Sequence, residues 1–491
     1  MKTFFKNNLR SLMRIYFLII LKGIFLKFIV DQNTSLYKKI IILFIFSILL
    51  ILSKFNKLNK FIYFLTILFY IFYLLYRNPE ILMYGRFFAE EGAIYWSYSL
   101  SHSRFETLLY TPVIAGYYLF FTNFLILITT YFPLEVSPLI TVWFSILFSL
   151  LPSLLFFLLT KNKFNEVNRI LISQILIFLP SLNYLETFAN SINIQTYLGV
   201  SVFIIYIYGL NNEKKYINFI ENIVILFGSL SGYYSIILFP VLLVRKKVNK
   251  NIKIITPVVV WITGVFVQLN ILIFTLLNDV LYGDKFTNKL QFTEFLIILK
   301  KSSLVNIFTE YFLRDSFIQN LSIFVLFSFI FLLIKKDKMI LFIILLSFFL
   351  EVFLVMIGQA GQDFTGRYAT VPSTIIFFIF LHYLLKSKNS YVILILFFCI
   401  GLLNTSYQNG NYFISCNSNC EPWAIQLKNN PRSITHWPIG EGDPFWTTNL
   451  ENPKPNPAPF QIKLIGENID YLYSLTLLDI ISENYKMIVR D

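Results

Sequence analysis

Apolar residues in this chain fall in long unbroken runs, not in the alternating or one-faced spacing of a soluble domain. The runs lie near 15–30, 38–53, 60–77, 113–131, 138–160, 169–187, 195–210, 217–245, 254–277, 319–334, 339–357, 373–385 and 391–405. A perpendicular membrane span needs roughly 20 apolar residues, so the shorter runs must borrow their polar flanks or sit inside a bundle. The first run carries Lys22 and Lys27. A lysine at a helix centre costs up to about 3 kcal/mol on insertion, so 15–30 is read as tilted, snorkelled or interfacial. The pattern predicts an all-α polytopic membrane protein with about 11–13 transmembrane helices.

Short basic stretches between the runs orient the chain, because cytoplasmic loops collect Lys and Arg. Lys54, Lys57 and Lys60 place the start of 60–77 in the cytoplasm and send the segment after it outside. A full crossing by 113–131 would push Lys161, Lys163 and Arg169 outside, against that rule. The run is therefore expected to be a juxtamembrane or re-entrant helix of the outer face, bracketed by Pro112 and Pro133. Keeping both Lys214–Lys215 and Arg245–Lys250 inside requires 217–245 to be two short helices meeting near Gly228–Gly232. Four regions then face outward, 78–137, 188–194, 278–318 and 358–372, followed by the tail. The expected organisation is a membrane domain over 1–405, with its N-terminus cytoplasmic, and an extracytoplasmic α+β region over 406–491. Trp423, Trp437, Trp446, the NPKPNPAP stretch and alternation such as Gln461–Ile465 mark the tail's change of composition.

Composition sharpens this reading in two places. At 56% hydrophobic and 19% aromatic residues the chain lies beyond ordinary soluble domains. Its net charge of +14 comes from the basic loops, so it signals orientation and not nucleic-acid binding. Three cysteines make no disulfide framework, although Cys416 and Cys420 could bridge in an outer tail; Cys399 lies in an apolar run. The basic N-terminus before an apolar run resembles a signal peptide, but no small-residue cleavage site follows, and it is read as retained.

The candidate chemistry centres on GRFFAEEGAIYW at 85–96, where Glu90 and Glu91 stand among Phe87, Phe88, Tyr95 and Trp96. Aromatic residues favour the headgroup zone, so this stretch is expected to reach both lipid and water. The simpler reading is a solvated loop in which Arg86 pairs with Glu90 four residues on. Adjacent helical positions diverge by about a hundred degrees, so the two glutamates are not expected to share one substrate atom, and a two-carboxylate hydrolase is disfavoured. Arg367 and Tyr368 in QDFTGRYATVP offer a guanidinium for a phosphate, or an interfacial anchor with Asp363 as partner.

Glu186, Asn190, Asn193 and Gln195 form a polar knot that suits either a sugar or, more simply, a hydrated turn. Tyr233 and Tyr234 could stack on a sugar or mark a helix break, and Glu351 sits in an apolar run where ionisable residues are often functional. His102, His382 and His436 have no partner at metal-ligand spacing, and no Walker loop, dinucleotide fingerprint or serine elbow is present. No ligand set announces a metal.

The acidic stretch, the long outer loop and the number of expected spans together resemble the GT-C superfamily of membrane glycosyltransferases. The likeness is greatest to bacterial members whose first outer loop reads like WAEDG. Here Phe88, Ala89, Glu90, Glu91 and Gly92 take those places, with Phe for Trp and Glu for Asp, which leaves open which carboxylate works. AGYYLFF at 115–121, LEVSP at 134–138, GRYATVP at 366–372 and the tryptophan-bearing tail are similar as well.

The resemblance implies an inverting hexosyl- or pentosyltransferase of the cytoplasmic membrane. Its donor would be a polyprenyl-phosphate sugar, and its acceptor a cell-surface glycan, lipid or protein. Glu90 or Glu91 would be the base, with Arg86, Arg367, Tyr368, Asn190 and Tyr233 on the substrate or phosphate. No resident cofactor is expected, and a divalent metal is optional. Two rivals stand beside it. A lipid-linked sugar transporter or flippase would show mid-membrane charges and related halves, and a polysaccharide polymerase or ligase would carry arginine-rich outer loops.

Overall fold

A computed structural model describes residues 85–178 (save 162 and 165), 189–210, 215–277, 423–429, 431–436 (save 433), 447–455 and 473–490. It also describes scattered positions within 63–83, 339–350 and 370–378. The runs at 15–30, 38–53, 319–334 and 391–405 lie outside the described residues, as do Glu186, Glu351, Arg367, Tyr368, the three cysteines and Gln461–Ile465.

The described chain is mostly helical. A π-turn, Glu91–Trp96, runs into α1 (Ser97–Ser101) and then α2 (Arg104–Leu109). Longer helices follow as α3 (Phe120–Thr129), α4 (Ser137–Ser149), α5 (Leu151–Leu159), α6 (Glu166–Phe178), α7 (Ile194–Tyr208), α8 (Lys215–Ser229), α9 (Tyr234–Val248) and α10 (Ile255–Leu277). The tail supplies α11 (Trp423–Asn429), an antiparallel pair β1 (Ile434–Thr435) and β2 (Thr447–Thr448), and α12 (Leu477–Arg490). Two described stretches are long and apolar enough to cross a membrane, 137–159 and α10.

Helix α7 is the pillar. It is largely apolar, with Gln195, Thr196, Tyr197, Ser201, Tyr206 and Tyr208 its polar exceptions, and nearly every residue is buried against α3, α4, α5, α8 and α9. A helix with no wet face belongs at the centre of a bundle. The expected break in 217–245 falls at 230–233, between α8 and α9, where Leu230 accepts from the Phe120 N–H and Gly232 donates to Tyr118. The 113–131 run is a 3₁₀ turn followed by the ten-residue α3. At 1.5 Å per residue α3 covers about 15 Å, half a hydrocarbon core, so it does not cross by itself.

The two poles of α7 differ in charge. At its C-terminal end Arg245 donates to the carbonyls of Ile205, Tyr206 and Gly209, Lys163 donates to that of Tyr208, and both Glu221 oxygens accept from Leu210 N–H. Cations belong at a helix C-terminus, where four carbonyls lack helical partners. A methyl group at Gly209 would collide with Glu221 Oε1, so only glycine leaves room for that carboxylate. At the N-terminal end lie Asn190, Ser191 and the acidic π-turn. Arg245→Met should remove its donors from the Tyr206 and Gly209 carbonyls and leave that of Ile205 with only the Gly209 N–H. A loss of about 2–3 kcal/mol is expected, read as a lower thermal midpoint of the detergent-purified protein.

Candidate active site

The acidic stretch enters on non-helical backbone. Gly85 has φ +67°, and its α-carbon packs so closely on Pro138–Leu139 that a Cβ would meet Leu139 N at 2.8 Å. Ala89, at φ +35°, then turns the chain in a conformation that L-residues adopt at a cost of about 1 kcal/mol. Because 85–88 is not helical, the Arg86–Glu90 spacing is not the helical i,i+4 pair expected from the sequence. Glu90 follows as the first residue before the π-turn, and Glu91 begins it.

These two adjacent carboxylates go to opposite places. Glu91 is fully buried, at 0% exposure. Its Oε1 accepts from the Ser191 backbone N–H at 2.8 Å and its Oε2 from the Phe88 N–H at 3.0 Å. Burial pushes its carboxyl up from the ordinary value, and these hydrogen bonds, with the neighbouring hydroxyls of Ser191 and Thr141, pull it part of the way back. Glu90 is half-exposed, and its charge acts on the Tyr95 hydroxyl together with Tyr117 and Tyr473. The expected exposed dyad is therefore one carboxylate at the surface and one locked inside.

The aromatic residues expected at the headgroup layer are instead interior. Phe87, Tyr95 and Trp96 are buried in a cluster with Trp423 and Ile434 of the tail, where Phe87 meets Trp423 edge-on at 5.5 Å and Trp96 meets it at 5.4 Å. Their rings bury more than a membrane interface would, because the tail supplies apolar partners that a sequence window cannot anticipate.

Asn190 is also fully buried, and its Oδ1 accepts from both the N–H and the Nδ2 of Asn193. It forms the turn that starts α7, but a buried one with Ser191 and Asn193, not the hydrated turn expected from the sequence. Tyr233 is buried at the start of α9 and donates its hydroxyl to the Gly116 carbonyl at 2.6 Å, with its ring 6.1 Å from that of Tyr117. It thus braces the half-exposed Tyr117, which in turn neighbours the Glu90 site through Tyr95.

Arg86, 6% exposed, lies near the ring of His436. So Arg86, Glu90, Glu91, Asn190 and Tyr233, which come from three separate stretches of sequence, belong to one neighbourhood at one pole of the bundle. Among the described residues no three His, Cys, Asp or Glu side chains gather as a metal site.

The chain matches no known family model, no curated protein and no solved structure. What the site can do must therefore be argued from its own atoms.

The residue that sequence reasoning passed over is His436. Without a metal-type partner it looked unremarkable, yet its ring lies against Gly92 so closely that any β-carbon there would strike it. A glycine directly after a glutamate pair was the available signal, since close approach is what glycine permits. Burial, with Arg86 beside it, drives the His436 imidazole down to about 3.

The ring is thus neutral in the fold and charged more readily once released. Its contribution to stability is complete above the ordinary histidine value of 6.5 and is lost as pH falls toward 3. A change in tryptophan fluorescence is expected across that window, because Trp96 and Trp423 pack within about 6.5 Å of the ring. The part carried by His436 should vanish in His436→Gln.

Proposed function

We propose that this chain is a GT-C-type glycosyltransferase using a polyprenyl-phosphate sugar on the extracytoplasmic face of the cytoplasmic membrane. It would pass a hexosyl or pentosyl group, with inversion, to a cell-surface glycan, lipid or protein. The supporting observation is the split between Glu90 and Glu91. Glu91 is enclosed and hydrogen-bonded, which fixes the turn, while its neighbour Glu90 is presented half-exposed beside tyrosines.

In this reading Glu90 takes the proton from the acceptor hydroxyl. The oxygen attacks the anomeric carbon as the bond from that carbon to the phosphate oxygen breaks, and polyprenyl phosphate leaves with the electron pair. Inversion is what the resemblance implies, and it needs one displacement with one base, whereas a retaining path by double displacement needs a second carboxylate at the sugar. Charge growing on the leaving phosphate calls for fixed cations, a role for Arg86 and for Arg367 with Tyr368. Asn190 and Tyr233 act from behind, one shaping the α7 turn and the other bracing Tyr117. A divalent metal is optional to this chemistry.

The test uses purified protein in lipid discs, given radiolabelled polyprenyl-phosphate hexoses and pentoses with envelope glycans, lipids and proteins as acceptors. Label should move to an acceptor at a rate that depends on Glu90. Movement of intact lipid-linked sugar across vesicles with no covalent transfer would replace the enzyme by the flippase reading.

A further inference from the structure

The carbonyl of Gly92 lies inside the π-turn, where the Ser97 backbone N–H reaches back five residues to it. Two side chains converge on the same oxygen. Thr448 Oγ1 donates from β2 at 3.2 Å, and Ser97 Oγ lies at 3.1 Å. Ser97 and Thr448 hydroxyls also touch each other at 2.5 Å. His436, just past β1, holds Thr448 from behind, with Nε2 2.8 Å from Oγ1. With the single hydroxyl proton of Thr448 on the Gly92 carbonyl, both Ser97 Oγ and His436 Nε2 must donate to Thr448. The other ring nitrogen packs on the Gly92 α-carbon and is buried without a hydrogen-bond partner. All of these groups are shielded from water.

A π-turn inside an α-helical path is an uncommon local winding, frequent where a protein must aim a particular residue. This one starts at Glu91, and five residues of α1 continue from it. Its winding decides how far Glu91 rotates inward and Glu90 outward. The Gly92 oxygen is the point at which the tail grips it, more than 340 positions away in sequence.

We infer that the β1–β2 pair, with His436 beside it, is a positioning element of the acidic site. Thr448, backed by His436, clamps the Gly92 carbonyl and so sets the π-turn that sinks Glu91 against Ser191 and leaves Glu90 at the surface. Thr448 and His436 are positioning residues, acting through Gly92 and not on substrate. The inference deepens the transferase reading for its catalytic consequence, but the clamp itself has a readout that needs no activity.

The experiment is carboxylate footprinting of the full-length protein in detergent with a water-soluble carbodiimide and an amine, mapped by mass spectrometry. Wild type should be modified at Glu90 and protected at Glu91. In Thr448→Val, which keeps the shape and removes the hydroxyl, modification at Glu91 should rise about tenfold, the equivalent of one lost buried hydrogen bond. Thr448→Ser should restore protection. Glu221, buried at the opposite pole, is the fold control and should stay protected throughout.

If Thr448→Val exposes Glu221 as well, it has unfolded, and the decision passes to His436→Leu, which removes the group behind Thr448 and should likewise raise Glu91 modification. Equal Glu91 protection in wild type and in the folded variants overturns the clamp. In parallel, kcat for sugar transfer in Thr448→Val should fall about a hundredfold, the cost of roughly 1 Å of misplacement, while KM for the lipid-linked donor stays within about twofold. Absence of transfer by wild type would sink the enzyme reading alone, because the footprint is measured without substrate.

Discussion

Glu90→Gln should abolish most sugar transfer while costing less stability than the same change at Glu91. The side chain is half-exposed at the entrance to the π-turn, so exchanging it for an isosteric amide removes a base without opening a cavity. Loss of a positioned general base lowers kcat by about 10²- to 10⁴-fold. Glu90 is half-buried and its charge acts on the buried Tyr95, so the thermal midpoint should fall less than in Glu91→Gln, whose carboxylate is fully buried. A variant with undiminished turnover would remove Glu90 from the mechanism.

Glu91→Gln should give the reverse signature, with structure failing before chemistry. Both oxygens of the buried carboxylate accept backbone N–H donors, from Ser191 and from Phe88. An amide keeps one acceptor and turns an NH₂ group toward the other donor, in a place with no water to intervene. Leaving a buried donor unsatisfied costs about 1–3 kcal/mol. Because Glu91 ties the acidic turn to the start of α7, the loss should appear as a lower thermal midpoint and as faster hydrogen exchange at Ser191, with any fall in activity following from that. Wild-type stability and exchange in Glu91→Gln would show that the buried carboxylate does not fasten the turn.

The same contrast explains what could be read along the chain and what could not. Helices α4 to α10 fall on apolar runs because burial of an apolar helix is dictated by the helix's own residues. The break between α8 and α9 was visible for a similar local reason, a polar, glycine-bearing turn inside an apolar stretch. The shortness of α3 followed from the parity of basic loops, and the clustering of Lys163 and Arg245 at one end of α7 agrees with those loops sharing a pole. At the site, Glu90 and Glu91 stood out in the sequence as adjacent carboxylates among aromatic residues.

Which carboxylate faces water was not apparent. Periodicity separates adjacent side chains but does not say which of them meets a partner, and the partners here are the Ser191 amide, a hundred residues away, and a strand pair in the tail. His436 looked idle for the same reason. Its role depends on lying against Gly92 and Thr448, and nothing near position 436 announces either.

By itself the amino-acid sequence determined the apolar helices, the break between α8 and α9 and the acidic stretch, since each depends on hydrophobicity and charge within a few turns of chain. Only the tertiary structure decided that Glu91 is an anchor, that Glu90 is the carboxylate offered to solvent, and that the tail belongs to the site. Those outcomes rest on hydrogen bonds between atoms a hundred or more residues apart, whose geometry exists only once the chain has packed.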